Sequence, residues 1–296
     1  MNHRITIYHH TNHPIWSKIY ANKFLANGIT NGAYTYSVDI VKYHIPIIVK
    51  QLNNQDKYKN IIISTVATID QSIIPSDTDL VICYLHETLS RDIKKVRQYE
   101  FTKTKFIYIT SRIEVCRKLV DIRKSCIFLP MAIDVSKLEK YQTKNKYKDK
   151  RVIYFGNKYL GKDGSYSQTK SAFVNKGWIF DQISYNKFND GETLPRNKIL
   201  EIISKYQYGV GEGRCVLEMN ALGIKTLICA GACQGLMINN SDFIKQKRNN
   251  FSDGKVWTFS DDILTCIDNF DKAIIKTHDV HDVIPQLEQQ LKEILT

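Results

Sequence analysis

The sequence predicts an α/β protein with doubly wound parallel sheets, and three of its features point that way. Short apolar runs, among them NIIIS at 60–64, DLVICYL at 79–85, KFIYIT at 105–110 and RVIYF at 151–155, alternate with stretches that read as helices. A lysine-rich stretch at 137–150, KLEKYQTKNKYKDK, lacks apolar periodicity and divides this alternation in two. The stretch 208–231, YGVGEGRCVLEMNALGIKTLICAG, reads as strand, glycine turn, helix and strand, which is one βαβ unit. At 296 residues the chain can bury two modest cores or one large one.

Taken in order, RITIY at 4–8 is the first buried strand, followed by a polar loop at 9–14 and a helix at 16–27 that ends at Asn27-Gly28. The segment 33–52 reads as a strand and then a helix. Strands follow at 60–64 and 79–85, a helix at 89–99, a strand at 105–110, a helix capped by Ser111 and a strand at 125–129 running into Pro130. Beyond the charged stretch the alternation resumes with a strand at 151–155, a helix at 165–176, a strand at 178–184 and a helix at 195–206 with proline in its first turn. After the βαβ unit come helices at 261–276 and 285–295. These boundaries give a first domain at 1–140, a second at 151–278 and a terminal helical segment at 279–296. The triplet Asp77-Thr78-Asp79 enters a strand at the edge away from any ligand crevice and reads as a turn.

The chemistry concentrates in the βαβ unit. Glycines at 211 and 213 let a backbone approach a ligand closely. The first amides of the following helix lack internal partners and sit at the positive end of its dipole, so the turn is a ready anion site. Glu218 lies one turn inside, and helical side chains lean toward the N-terminus, which aims its carboxylate back at that mouth. A carboxylate there suits a ribose hydroxyl pair. Phosphate on the amides and sugar on the acid is nucleotide recognition; a glycine turn with a merely solvated glutamate is the plainer alternative.

The segment GEGRCVLEMNALGIKTLI resembles the donor site of the retaining GT-B glycosyltransferases of family four, whose pattern is roughly G-x-G-R-x-x-L-E-A-x-A-x-G-x-P-V-I. Arg214, Leu217, Glu218, Ala221 and Gly223 match it. KFIYITSRIEVCRKLV and CIFLPMAID are similar to the end of that family's first domain. The resemblance implies two Rossmann-like domains with parallel sheets facing a cleft, acceptor on the first and nucleotide sugar on the second, with a C-terminal helix crossing back to the first. It implies transfer of a sugar from a nucleotide sugar, UDP-sugar foremost, to an acceptor hydroxyl with retention, by front-face displacement and with no metal and no cofactor besides that co-substrate. The glutamate matching Glu218 binds the ribose. A second glutamate, usual eight residues earlier, falls on Val210, and Glu212 stands two positions later; Met219 and Asn220 replace the usual small residues. The expected donor-binding set is Glu218, Glu212, Gly211, Gly213, Cys215, Gly156, Asn157 and Lys158. The expected catalytic set is Lys162, which would stabilise charge on the departing phosphate, His86 after the strand at 79–85, and Arg214. Gly161 precedes Lys162, whereas the family's lysine precedes its glycine.

His10 and His13, in the loop after the first strand, are expected on the acceptor side, since such loops face the crevice of an open α/β sheet. A metal there has less support, because no carboxylate or cysteine lies beside them.

Composition bounds the partners. The formal net charge of +12 favours a polyanion, either nucleic acid, including a modified base in DNA, or an anionic glycan or lipid-linked sugar. Lysine-rich usage from an AT-rich coding bias accounts for it equally well. The seven cysteines are scattered without a C-x-x-C pair, the N-terminus shows no signal-peptide pattern and no apolar run reaches the roughly 20 residues of a membrane span, so a cytoplasmic protein is expected. Two other classes compete: a nucleotide-sugar 2-epimerase on the same architecture, which wants converging acids and histidines at the cleft, and a non-catalytic basic nucleic-acid binder, for which Glu218 and Lys162 are dispensable.

Overall fold

The structure is a computed structural model that describes residues 4–10, 14–20, 43–55, 57–64, 74–85, 96, 103–156, 163–184, 187–188, 194–230, 233–236, 275 and 277–295. The chain divides into two compact units, one of residues 1–130 with 283–296 and the other of residues 131–282.

The first unit holds a six-stranded sheet in the order β2-β1-β3-β4-β5-β6. Its strands are β1 (Arg4–His10), β2 (Pro14–Tyr20), β3 (Asn60–Ser64), β4 (Leu80–Leu85), β5 (Lys105–Thr110) and β6 (Ser125–Phe128). All run parallel except β2, which pairs antiparallel with β1 at the sheet edge. Every residue of β4 is buried, as an apolar run covered on both faces must be. Helices α1 (Ile45–Asn53) and α2 (Ile113–Asp121) bury Ile45, Ile48 and Leu52, and Val115, Cys116 and Leu119. Asp79 does the work of a turn residue: its carboxylate accepts the Lys59 and Asn60 amides, both at 2.8 Å, and these bonds hold its carboxyl below the usual range.

Three readings in this unit need correction. The helix expected at 16–27 begins as strand β2, and 21–27 lie outside the described residues. Trp16, Ile19 and Tyr20 have helical spacing, but they are also strong strand formers, and a three-residue connection to β1 makes hairpin pairing the shorter route. Pro14 is tolerated because β2 is an edge strand. The loop expected at 9–14 shrinks accordingly, since His9 and His10 belong to β1. Ser111 is not the cap of α2; that position is Arg112, whose amide donates to Thr110 Oγ1 at 3.2 Å.

The second unit opens with α3 (Val135–Glu139), capped by the Asp134 carboxylate on the Lys137 amide at 2.9 Å. The lysine-rich stretch is therefore part of this unit rather than a linker. Tyr147 N–H donates to Lys205 O at 2.8 Å, Lys146 Nζ to Ser204 O at 2.6 Å, and Gln142 to Ala221 O at 2.7 Å. Its anchors are single residues without periodicity, which is why the pattern did not reveal them.

The second sheet comprises β7 (Arg151–Phe155), β8 (Ile179–Ser184), β9 (Lys187–Phe188), β10 (Tyr208–Gly211), β11 (Lys225–Ala230) and β12 (Cys233–Leu236), in the order β12-β11-β10-β7-β8-β9. The inner four are parallel, and the short edge strands β9 and β12 are antiparallel. Helices α4 (Asp163–Val174), α5 (Arg196–Ile203) and α6 (Arg214–Ala221) connect them. The chain steps from β7 outward to β8, then returns to place β10 on the other side of β7. That reversal makes the β7/β10 pair a topological switch point.

The last helix, α7 (Val280–Leu295), starts five residues before the expected position and carries Pro285 inside it. Asp279 Oδ1 accepts the His281 amide at 3.0 Å at its start. Val283, Leu287, Leu291 and Leu295 are buried, Lys50 pairs with Glu288 at 2.8 Å, and Lys105 Nζ donates to Ile294 O at 2.7 Å. Among the described residues no helix is long and apolar enough to cross a membrane. The helices expected at 89–99 and 261–276 lie outside the described residues apart from Val96 and Ile275.

Candidate active site

The carboxyl ends of β7 and β10 lie side by side, with Gly211 in register with Phe155. The two glycine-bearing loops singled out in the sequence leave the sheet here, one at Gly156 and the other at Gly211-Glu212-Gly213.

The glycines differ in what requires them. A Cβ on Gly211 would stand 2.8 Å from Phe155 O and 2.9 Å from the Met219 methyl, so close packing of β10 on β7 and α6 demands glycine. Gly213 caps α6 with φ 55° and ψ −130°, a conformation L-residues avoid. A Cβ on Gly156 would meet only Tyr154 ring atoms at 3.6–3.7 Å, ordinary contact, so packing does not require glycine there.

Helix α6 begins at Arg214, its first turn closed by bonds from Cys215 N to Glu212 O and Val216 N to Gly213 O, both 3.2 Å. It ends at Gly223, φ 74°, with Gly223 N donating to Asn220 O and Ile224 N to Met219 O. Cys215 is half-buried and in no disulfide.

Glu218 is the buried acid of the site, 3% exposed. Its Oε1 accepts from Arg214 Nε at 2.8 Å, four residues back on the same helix face, and its Oε2 pairs with Arg196 Nη2. Burial pushes the carboxyl up, but the charges and hydrogen bonds of the two arginines outweigh it and hold Glu218 below the usual carboxylate range. Arg214 is anchored further by Nη1 to Ala132 O at 3.3 Å. Arg196 is the first residue of α5, and its guanidinium lies over the Phe155 ring, 5.3 Å from the centroid.

Of the expected site residues, the structure gathers Glu218, Arg214, Gly211, Glu212, Gly213, Cys215 and Gly156 at this switch point. Asn157, Lys158 and Lys162 lie outside the described residues, as do His86 and His13. His10 is the last residue of β1, at the carboxyl edge of the first sheet, with its side chain outside the described residues. Sequence reasoning missed Arg196. Its signal was indirect: a cation at a helix N-terminus opposes the dipole and wants a carboxylate. Among the described residues no group of three His, Cys, Asp or Glu side chains is placed to hold a metal.

No family model matches the chain, and neither does any curated protein. Solved structures similar in chain course include a glycosyltransferase from Rickettsia africae ESF-5, at TM-score 0.43 and 10% identity over 91% of this chain and 95% of that one. Another is an alpha-glucosyltransferase in complex with UDP-glucose and DNA containing an abasic site, at TM-score 0.38 and 12% identity over 80% of this chain and 75% of that one. Likenesses of this size do not place the chain in a family.

Proposed function

We propose that the chain is a nucleotide-sugar-dependent glycosyltransferase of GT-B architecture acting with retention. The observation that carries this reading is the second unit's switch point, where the family-four-like segment G-E-G-R-x-x-L-E sets a buried carboxylate and two arginines at the carboxyl ends of β7 and β10. An open α/β sheet binds its ligands at such a point.

Glu218 is assigned to the ribose hydroxyls and Glu212 to hydroxyls of the donor sugar. The Gly211, Gly213 and Cys215 backbone lies along the donor, and Gly156, Asn157 and Lys158 line the diphosphate. Lys162 and Arg214 stabilise the charge that grows on the phosphate as the sugar departs. His86 touches the donor sugar, and His10 and His13 the acceptor. In the transfer, the bond from the anomeric carbon to phosphate oxygen breaks. The acceptor oxygen bonds to that carbon from the same face, and the acceptor proton passes to the departing phosphate. The chain's own groups bind, orient and supply positive charge, and no side-chain base is required.

Both Glu218 oxygens already accept guanidinium bonds, yet an ionised carboxylate has about four lone-pair sites, so capacity for a hydroxyl remains. A thermal-shift panel of nucleoside diphosphates and their sugars, with hydrolysis of the best binder followed by NMR, tests the reading. Stabilisation by a nucleoside diphosphate and release of a sugar with the donor's anomeric configuration are expected. If no nucleotide shifts the melting curve, the donor-site assignment is wrong.

A further inference from the structure

The two arginines that hold Glu218 are not equivalent. Arg214 is 15% exposed, bonds Glu218 through Nε and ties Nη1 to Ala132 O. Arg196 is 35% exposed and gives Glu218 Nη2 alone; among the described residues its Nε and Nη1 donate to nothing. A guanidinium has five N–H donors in a fixed fork, so most of that fork is unspoken for. Both arginines pair with the Glu218 carboxylate, and Arg196 is the more exposed of the two. The Arg196 guanidinium is seated on the Phe155 ring where β7 ends. A planar cationic donor fork, about a third exposed at the carboxyl edge of a switch point, suits a phosphate group.

We propose that Arg196 is a further anion-binding residue of this site: it takes a phosphate of the nucleotide and, in doing so, yields a Glu218 oxygen to the ribose. This rests on the donor reading above and adds a residue that the resemblance does not supply. In the unliganded protein Arg196 keeps the buried carboxylate charged, and the incoming diphosphate exchanges one anionic partner for another. Its position at the first turn of α5 lets the side chain move without disturbing the α6 register that fixes Arg214.

The test is calorimetric titration of wild type, R196Q and R196K with uridine, UDP and inorganic pyrophosphate. R196Q leaves Glu218 paired with Arg214, and a urea melt of each variant checks folding. In R196Q, affinity for UDP and pyrophosphate is expected to fall about 10- to 100-fold, the range for one charged hydrogen-bonding group. Uridine affinity should change less than about threefold, well under one such bond. R196K should fall between wild type and R196Q for UDP. Equal loss for uridine and UDP in R196Q would overturn the proposal, leaving Arg196 only a holder of Glu218, and so would unchanged pyrophosphate binding. If pyrophosphate binds wild type and is lost in R196Q while uridine and UDP bind neither, the anion site stands and the nucleotide reading fails.

Discussion

At the residue scale Glu218 decides how the site is to be probed. Removing its charge strands two guanidiniums, one of them mostly buried, and breaking a buried ion pair from one side costs about 3–5 kcal/mol. Glu218→Gln is therefore expected to lower unfolding free energy by roughly that amount in urea at pH 7, so a lost nucleotide effect in that variant must be corrected for lost fold. The pH dependence has a definite sign. The folded carboxyl is held below its unfolded value of about 4.3, so its contribution is complete above that value and is lost as pH falls through the folded one. The gap between wild type and Glu218→Gln should stay constant from pH 7 to 5 and close in more acid solution. A gap that does not narrow there would mean the arginines do not stabilise the ionised form. The sequence revealed Glu218 through its motif and its helical position, but not Arg196, 22 residues earlier, because that pairing depends on where α5 enters the sheet.

At the scale of elements the glycines separate packing from ligand approach. Gly211→Ala drives a Cβ into a carbonyl of the neighbouring strand, and overpacking of that kind costs about 1–3 kcal/mol. Gly213→Ala forces an L-residue into a glycine conformation, again about 1–3 kcal/mol. Both should lower the urea midpoint. Gly156→Ala should leave stability within about 0.5 kcal/mol yet weaken diphosphate binding if the backbone there lies against the ligand; unchanged affinity would remove Gly156 from the donor site. The same scale explains what was legible. β3, β4, β5 and β7 announced themselves as unbroken apolar runs bounded by polar residues. β2 was hidden because its apolar residues fit a helix as well as a hairpin, and β12, CQGL, because four residues with a glycine carry no periodicity.

At the scale of the whole molecule the open matter is what the +12 charge is for. Lysine- and arginine-rich segments stand at 91–97, 112–124 and 137–151. The first lies outside the described residues apart from Val96. The second includes α2, whose Arg117 and Lys118 are exposed, in the first unit. The third belongs to the second unit, where Arg151 is consumed by Asp149 and Asp181 while Lys148 and Lys150 are exposed. The described charge is thus shared by both units, and the two parts can be tested apart. If the acceptor is DNA, duplex binding in mobility shifts should weaken steeply with salt, log affinity falling by about 0.9 per phosphate neutralised for each unit of log salt. It should also be largely indifferent to sequence. With the acceptor on the first unit, R117Q/K118Q should flatten that slope by about one to two phosphates and K148Q/K150Q should leave it unchanged. The reverse pattern would move the acceptor surface to the second unit. Absence of both duplex and single-strand binding at low salt would exclude a nucleic-acid acceptor, and the basic surface would then be lysine bias or a membrane-facing patch.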